Sequence, residues 1–274
     1  MICISPLSIP RPNGRGSKDR ITVPCGKCKS CWTNKRKEWS LRIYLEMEKA
    51  KNAKFVTLTY SDENLTLVNN RMVLNKQDVK AFIKRLREDI RIKYGRYDLR
   101  YFIAGEYSPD VLRPHYHCAL FNVPEDVLDK IDKIWTNGFV HIGKIEMASI
   151  NYITGYILDS QKSEEDDYKP FRLMSNGLGK SYLIKNKDYH EKNAEFNYTF
   201  IGGIRQKLPR YFKDKIFTKQ EIEQESENLR NLISIKNQIW ENQQIKKGNS
   251  PEYIRGERKK KLLESKNLFK QKKL

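Results

Sequence analysis

The sequence predicts an α+β fold: an antiparallel sheet covered by helices, followed by a helical C-terminal extension. Three observations carry this. Runs of β-branched and aromatic residues of strand length alternate with longer amphipathic stretches. Their order over residues 55–145 reads strand, helix, strand, strand, helix, strand. Beyond residue 163 the pattern fades, and residues 218–274 are polar and helical in character.

Each element follows from its own residues. Residues 1–35, rich in Pro, Gly, Cys and basic residues, read as an irregular arm. "NKRKEWSLRIYLEMEKA" (34–50) is a basic helix with Trp39, Ile43 and Met47 on one stripe. "FVTLTY" (55–60) is a strand. "NKQDVKAFIKRLREDIRIKY" (75–94) is an amphipathic helix. Val79, Phe82, Ile83, Leu86 and Ile90 recur there at helical spacing, and Asn75 is its N-cap. "RYFIAGEY" (100–107) and "HYHCALFN" (115–122) are the second and third strands. "PEDVLDKIDKIW" (124–135) is a helix opened by proline and ended by Asn137-Gly138. "FVHIGKI" (139–145) is the fourth strand, and "SINYITGYILDSQK" (149–162) a further helix. The order is that of the ferredoxin-like βαββαβ arrangement, with helices on one face of the sheet and the other face open to a ligand. Three segments are expected: an arm and helix over 1–50, a central domain over 51–217 and a basic helical tail over 218–274.

Composition narrows the function. The formal net charge is +19, from 53 Lys and Arg against 34 Asp and Glu. Clustered cations gain free energy by releasing counterions from phosphates, so nucleic acid is the first partner to consider. A ribosome- or membrane-surface protein would share that balance. No apolar run is long enough to cross a membrane. "MICISPLSIP" lacks a basic n-region and a long h-region, so no secretory signal is expected. Five cysteines without a signal point to a reducing compartment, and the expected location is cytoplasmic.

"RPHYHCALF" (113–121) places two of the chain's four histidines at i and i+2. In a strand that spacing puts His115 and His117 on one face, with Tyr116, Cys118 and Leu120 on the other. Two imidazoles side by side suit a divalent transition metal. Glu106 joins them if it lies opposite His115 in a hairpin; a slip of one residue moves it to the wrong face. Two His and one carboxylate suit Mn²⁺ or Mg²⁺ holding a phosphate oxygen. Two surface histidines without a metal are the plainer reading of the same pattern.

"YITGY" (152–156) sets Tyr152 and Tyr156 at i and i+4, on one helix face. Ile150, Ile153 and Ile157 occupy a different, core-facing arc. A phenol beside a metal-bound phosphodiester can attack phosphorus and form a phosphotyrosine. The alternative is aromatic packing at a helix edge.

Cys25, Cys28 and Cys31 follow C-x2-C-x2-C spacing, with Cys3 as a candidate fourth ligand. Such spacing suits structural Zn²⁺ or an iron–sulfur cluster, or leaves reduced thiols in a basic arm. Basic residues alternate with aromatics from Lys27 to Tyr44, including Trp32 and Trp39, which can track a nucleic-acid backbone or dock a helix. "GLGKS" (177–181) is a decoy. A phosphate-binding P-loop needs glycine where Met174 stands.

Taken together, these motifs resemble the HUH family of rolling-circle replication initiators and relaxases. "FVTLTYSDENL", "AGEYSPDVLRPHYH", "WTNGFVHIGKI" and "YITGYI" follow one another in family order. The nearest resemblance is to replication initiators of microviruses of the gokushovirus type, where "PCGKCKSCWTNKRKEWSLR" also has a counterpart. It spans residues 3 to 217. It implies a site-specific endonuclease and ligase acting on single-stranded or supercoiled phage origin DNA in the host bacterial cytoplasm. His115, His117 and Glu106 would hold the divalent metal. Tyr152 and Tyr156 would alternate as nucleophiles through 5′-phosphotyrosine intermediates. Host helicase and polymerase would be partners. Lys27, Lys29, Arg36, Arg113 and Lys162 are the candidate DNA contacts. Family members often carry a basic residue three positions after a tyrosine. Here those positions are Gly155 and Asp159, and Lys162 is the nearest replacement.

Two rival readings use the same residues. In a non-catalytic single-stranded nucleic-acid-binding module the histidines are structural and the tyrosines stack on bases. A relaxase or transposase applies the same chemistry to other DNA.

Overall fold

The structure is a computed structural model and describes residues 3, 5–11, 20–95, 98–108, 110–155, 169–192, 198–257 and 260. Two compact units emerge: residues 36–209, and residues 1–35 together with 210–274. The chain opens with an antiparallel hairpin, β1 (Leu7–Pro10) and β2 (Arg20–Val23), in register Leu7↔Val23. Helix α1 (Lys29–Met47) follows, longer at its start than its apolar stripe announced.

In residues 36–209, β3 (Ala53–Tyr60) precedes a small hairpin, β4 (Leu67–Val68) and β5 (Arg71–Met72). Then come α2 (Lys76–Tyr94), β6 (Arg100–Tyr107) and β7 (Pro114–Phe121). The expected helix over 124–135 is instead two short ones, α3 (Glu125–Leu128) and α4 (Ile131–Ile134). Each is a single turn whose inner residues, Val127, Leu128, Ile131 and Ile134, are buried. Next are β8 (Gly138–Lys144), α5 (Met147–Gly155), β9 (Arg172–Met174), α6 (Lys180–Lys192) and the hairpin β10 (Tyr198–Ile201)–β11 (Ile204–Lys207). The central sheet has five strands in the order β8-β3-β7-β6-β9, every pair antiparallel.

One sheet face carries the main core. Val56, Leu58 and Tyr60 of β3, Ile103 of β6, and Tyr116, Cys118 and Leu120 of β7 meet the apolar stripe of α2 and the inner residues of α3 and α4. That stripe is the expected Val79, Phe82, Ile83, Leu86 and Ile90, all buried. Each such side chain contributes roughly 1.5–3 kcal/mol of transfer free energy. Asn75 caps α2, its side chain accepting from the Gln77 amide at 2.9 Å. Trp135 fills the centre of this layer and donates Nε1–H to the Thr59 carbonyl at 2.9 Å.

The second face corrects the expectation of helices on one side only. Ile43 of α1 and Ile150 and Ile153 of α5 pack on Phe102, Ala104, Ala119 and Phe121, with Trp39 and Met47 at the margin. Two small residues, Ala104 and Ala119, let helices approach the sheet there. Farther along the same face the strands present Glu106, His115 and His117 instead. The open surface is therefore one end of the face, where the side chains turn polar.

In the unit formed by residues 1–35 and 210–274, the described helices after the arm are α7 (Arg210–Ile216) and α8 (Lys219–Lys246). Thr218 and Glu221 form a reciprocal capping box at the start of α8.

Candidate active site

Register decides whether the polar end of the face is a site. The β6–β7 ladder pairs Glu106 with His115 and Ala104 with His117. The turn closing it is pinned by Ser108, whose amide donates to the Arg113 carbonyl at 2.9 Å and whose hydroxyl accepts from the Arg113 amide at 3.0 Å. Directly paired residues share a face, so the carboxylate and both imidazoles stand together.

Their atoms converge. Glu106 Oε1 lies 2.8 Å from His115 Nε2 and 2.6 Å from His117 Nε2. Glu106 and His117 are only 6% and 7% exposed, so these polar groups need partners. Burial pushes the Glu106 carboxyl up, but hydrogen bonds from and attraction to the two imidazoles outweigh it and hold it below the usual carboxylate range.

Donor and acceptor bookkeeping tests a metal here. His115 Nδ1 meets the Arg113 carbonyl at 3.1 Å. A carbonyl only accepts, so Nδ1 carries the proton. Neutral His115 then turns a lone pair at Nε2 toward a carboxylate oxygen, acceptor against acceptor. A proton or a cation between them resolves the conflict. His117 Nδ1 is held by the Thr57 hydroxyl at 3.1 Å, which leaves its Nε2 aimed at the same point. The three ligand atoms lie within 4.8 Å of one another. The donor set fits a divalent metal of mixed N and O preference.

Helix α5 brings Tyr152 to this centre. Ile150 and Ile153 are fully buried against the sheet, which turns Tyr152 toward the open end of the face. Its phenol donates to Glu106 Oε1 at 3.3 Å, and its ring stands edge-on to His117 with centroids 5.0 Å apart. The side chain is still 49% exposed, so a substrate can reach it. Tyr156, Ile157, Asp159 and Lys162 lie outside the described residues.

Helix α1 fixes α5 from the side. Arg36 donates to the Asn151 carbonyl at 2.7 Å, and Ser40 shares a 2.8 Å hydrogen bond with Thr154, which is fully buried. Arg36, expected at DNA, is thus committed to the tyrosine helix. Arg113 donates to the Tyr60 carbonyl and pairs with Asp62, both at 2.7 Å. Lys27 is exposed and Lys29 half-buried, in the segment holding Cys3, Cys25, Cys28 and Cys31. Those four thiols also lie within 4.8 Å of one another. The decoy loop is structural: the Gly179 amide donates to the Glu46 carboxylate at 2.6 Å.

The strand β8 holds side chains that the histidine motif does not reveal. Thr59 pairs with both His115 and Phe139, and Thr57 with both His117 and His141. Phe139 and His141 are therefore on the site's face, and Phe139 is 68% exposed. Two strand spacings, about 10 Å, separate His141 from His117, too far to share one ion. Their alternation in "FVHIGKI" was the available signal. Among the described residues no helix is long and apolar enough to cross a membrane.

The region that carries the site has known relatives. A family model for replication-associated proteins of the ORF2 type matches residues 53–161. The chain is 34% identical over 215 residues to the replication-associated protein ORF2 of Spiroplasma virus 4, covering 70% of this chain and 66% of that one. It is 30% identical over 218 residues to the replication-associated protein VP4 of Bdellovibrio phage phiMH2K, covering 71% and 67%. The chain thus spans about two thirds of the length of these relatives. Among solved structures, the N-terminal nuclease domain of minute virus of mice non-structural protein 1 aligns with 56% of this chain and 83% of its own. The identity is 10% and the TM-score 0.23, a superposition too loose to carry an argument about fold or chemistry. By the identity and extent of the two phage matches, the chain belongs to the family of replication-associated proteins that includes ORF2 of Spiroplasma virus 4 and VP4 of Bdellovibrio phage phiMH2K.

Proposed function

We propose that this replication-associated protein is an HUH-type initiator: it nicks and rejoins single-stranded origin DNA through a phosphotyrosine. On this reading residues 51–217 are the nuclease domain, 1–50 an arm and 218–274 a tail. The strands β3, β6, β7 and β8 are the ferredoxin-like four, with β9 added at one edge. The observation that carries the proposal is the meeting of Tyr152, His115 and His117 on a single atom, Glu106 Oε1.

Glu106, His115 and His117 would hold a divalent cation, Mn²⁺ or Mg²⁺. Such an ion supplies Lewis-acid stabilisation of charge on the phosphoryl oxygens. The chain's own residues do the rest. Thr57 and the Arg113 carbonyl fix the imidazole rings. Arg36 and Ser40 hold α5, so the Tyr152 phenol is set beside the centre before substrate arrives. Its oxygen attacks phosphorus as its proton leaves. The P–O3′ bond breaks, and the 3′ oxygen departs as a hydroxyl after taking up a proton. The 5′ phosphate stays on the tyrosine as an ester. Attack by a 3′-hydroxyl on that ester reverses the step and rejoins the strand. No nucleotide hydrolysis is needed, because the ester keeps the bond energy. Tyr156 would serve as the second nucleophile. Phe139 and His141 offer ring faces for flanking bases. The substrate is phage origin DNA in the host cytoplasm, and the released 3′ end suits a host polymerase, with a host helicase opening the duplex.

The test is a denaturing gel of protein mixed with labelled single-stranded DNA from its own genome's origin and Mn²⁺. The expected result is a covalent adduct that EDTA abolishes. DNA bound without any adduct, across Mn²⁺, Mg²⁺ and Zn²⁺, would favour the non-catalytic binding module.

A further inference from the structure

The cysteines of the arm play no part in the chemistry above, and their arrangement has its own logic. The β1–β2 ladder pairs Leu7 with Val23 and Pro10 with Arg20. Extended toward the chain's start, the same register brings Cys3 opposite the Cys25–Cys28 loop. The Cys25 amide donates to Cys3 Sγ at 3.2 Å. Gly26 takes a left-handed conformation, φ 71°, and turns the backbone between Cys25 and Cys28. Cys31 sits in the first turn of α1.

The distances then discriminate among ligands. Cys25 and Cys31 sulfurs are 4.0 Å apart, and Cys28 and Cys3 sulfurs 3.9 Å. A tetrahedral ion with metal–sulfur bonds of about 2.3 Å places its sulfurs about 3.8 Å apart. A disulfide would need about 2.05 Å, and all four cysteines are free. An iron–sulfur cluster binds each thiolate to a different iron and spreads the ligands wider than one ion does.

The arm also has little other means of support. Among the described residues of 1–35, only Cys28, Ser30 and Trp32 are buried. A segment with so little apolar burial needs a staple to order it. Four thiolates around a dication leave two negative charges. Lys27, Lys29 and the positive N-terminal end of α1 offset them.

We propose that Cys3, Cys25, Cys28 and Cys31 bind one Zn²⁺ as a structural tetrathiolate that ties the N-terminal strand to the start of α1. The ion orders the basic loop carrying Lys27 and Lys29. It is distinct in ligand chemistry from the Glu106–His115–His117 centre, whose nitrogen and oxygen donors suit a different ion.

The experiment is metal analysis of the full chain purified without chelators. One zinc per chain is expected. It should persist in the His115→Ala, His117→Ala double variant and be lost in Cys28→Ser and in Cys3→Ser. Cobalt substituted for it should give the visible absorption of a tetrahedral thiolate complex. Should the cysteine variants fail to fold, the unmodified chain answers instead: a mercurial reagent should release one zinc as four thiols react. Zinc that follows the histidines, iron with labile sulfide, a disulfide among the four, or a zinc-free folded chain with four reactive thiols would each overturn the proposal. None of these readouts depends on DNA cleavage, so this site and the nuclease reading stand or fall separately.

Discussion

Tyr152 and Glu106 meet at 3.3 Å, phenol to carboxylate, although they are 46 positions apart in the chain. Neither residue could find the other by local structure. Glu106 is fixed by the β6–β7 register, and Tyr152 by the burial of Ile150 and Ile153 on the far half of the same sheet face. A nucleophile and a candidate metal centre are thus positioned by independent parts of the fold.

That independence predicts how the metal responds to its supports. Thr57→Val removes the group that holds His117 Nδ1 while keeping the side chain's shape. Mn²⁺ affinity, measured by calorimetry, should fall about 10–100-fold, the usual cost of losing a group that orients a metal-binding histidine. Tyr152→Phe should leave Mn²⁺ affinity within a few-fold of the original. Equal loss in both variants would mean that the phenol, too, belongs to the ion's ligand set.

Phe139 should act on DNA without acting on metal. Its ring is exposed on the edge strand, in the same cross-strand row as Thr59 and His115. Base stacking on an aromatic is worth about 1–3 kcal/mol, so Phe139→Ala should weaken single-stranded DNA binding about 5- to 150-fold. Unchanged binding in a fluorescence titration would remove β8 from the DNA path.

Gly105 tests the packing behind the site. A Cβ there would stand 3.1 Å from both Leu74 Cδ2 and Tyr116 Cδ1. Gly105→Ala should cost about 1–3 kcal/mol of stability by overpacking, read in denaturant unfolding. The strand carries Glu106 as its next residue, so metal affinity should drop with it.

The core face predicts alkaline instability. Tyr60 donates to Asp78 Oδ2 at 2.8 Å and shares a 2.8 Å hydrogen bond with Tyr116. Burial pushes both phenols well above their ordinary range, with the neighbouring Tyr116 adding to it at Tyr60. Below about pH 10 folded and unfolded chains both keep these protons. Above it the unfolded chain releases them and the folded chain does not. Stability must therefore fall as pH rises, by about 1.4 kcal/mol per pH unit for each phenol retained. Tyr60→Phe should make that slope shallower by one proton. An unchanged slope in urea melts between about pH 10 and 11 would contradict the assignment.

The strands and α2 were legible because their residues repeat at one period over a full element. Val79, Phe82, Ile83, Leu86 and Ile90 left no choice of face. The β6–β7 register was not legible, since it depends on the bonds between Ser108 and Arg113 in the turn. β9 was missed because three residues, Arg172–Met174, are too few to show alternation. The second helical cover was missed for a subtler reason. Phe102, Ala104, Ala119 and Phe121 already mark an apolar half of the histidine face, while Glu106, His115 and His117 mark a polar half. Reading the face as uniform hid the place where α1 and α5 dock. His115 and His117 themselves could be paired from sequence alone, whereas Phe139 and His141 needed the strand order.

The nuclease reading stands or falls on where DNA becomes attached to the protein. Origin DNA is reacted with the chain in Mn²⁺, digested with nuclease and trypsin, and the peptide spanning residues 145–162 is fragmented by mass spectrometry. The expected product carries a nucleotide phosphate on Tyr152 or Tyr156, with Tyr152→Phe moving it entirely to Tyr156. A phosphate on any other residue, or an unmodified peptide from chain that has cleaved DNA, would contradict the phosphotyrosine mechanism.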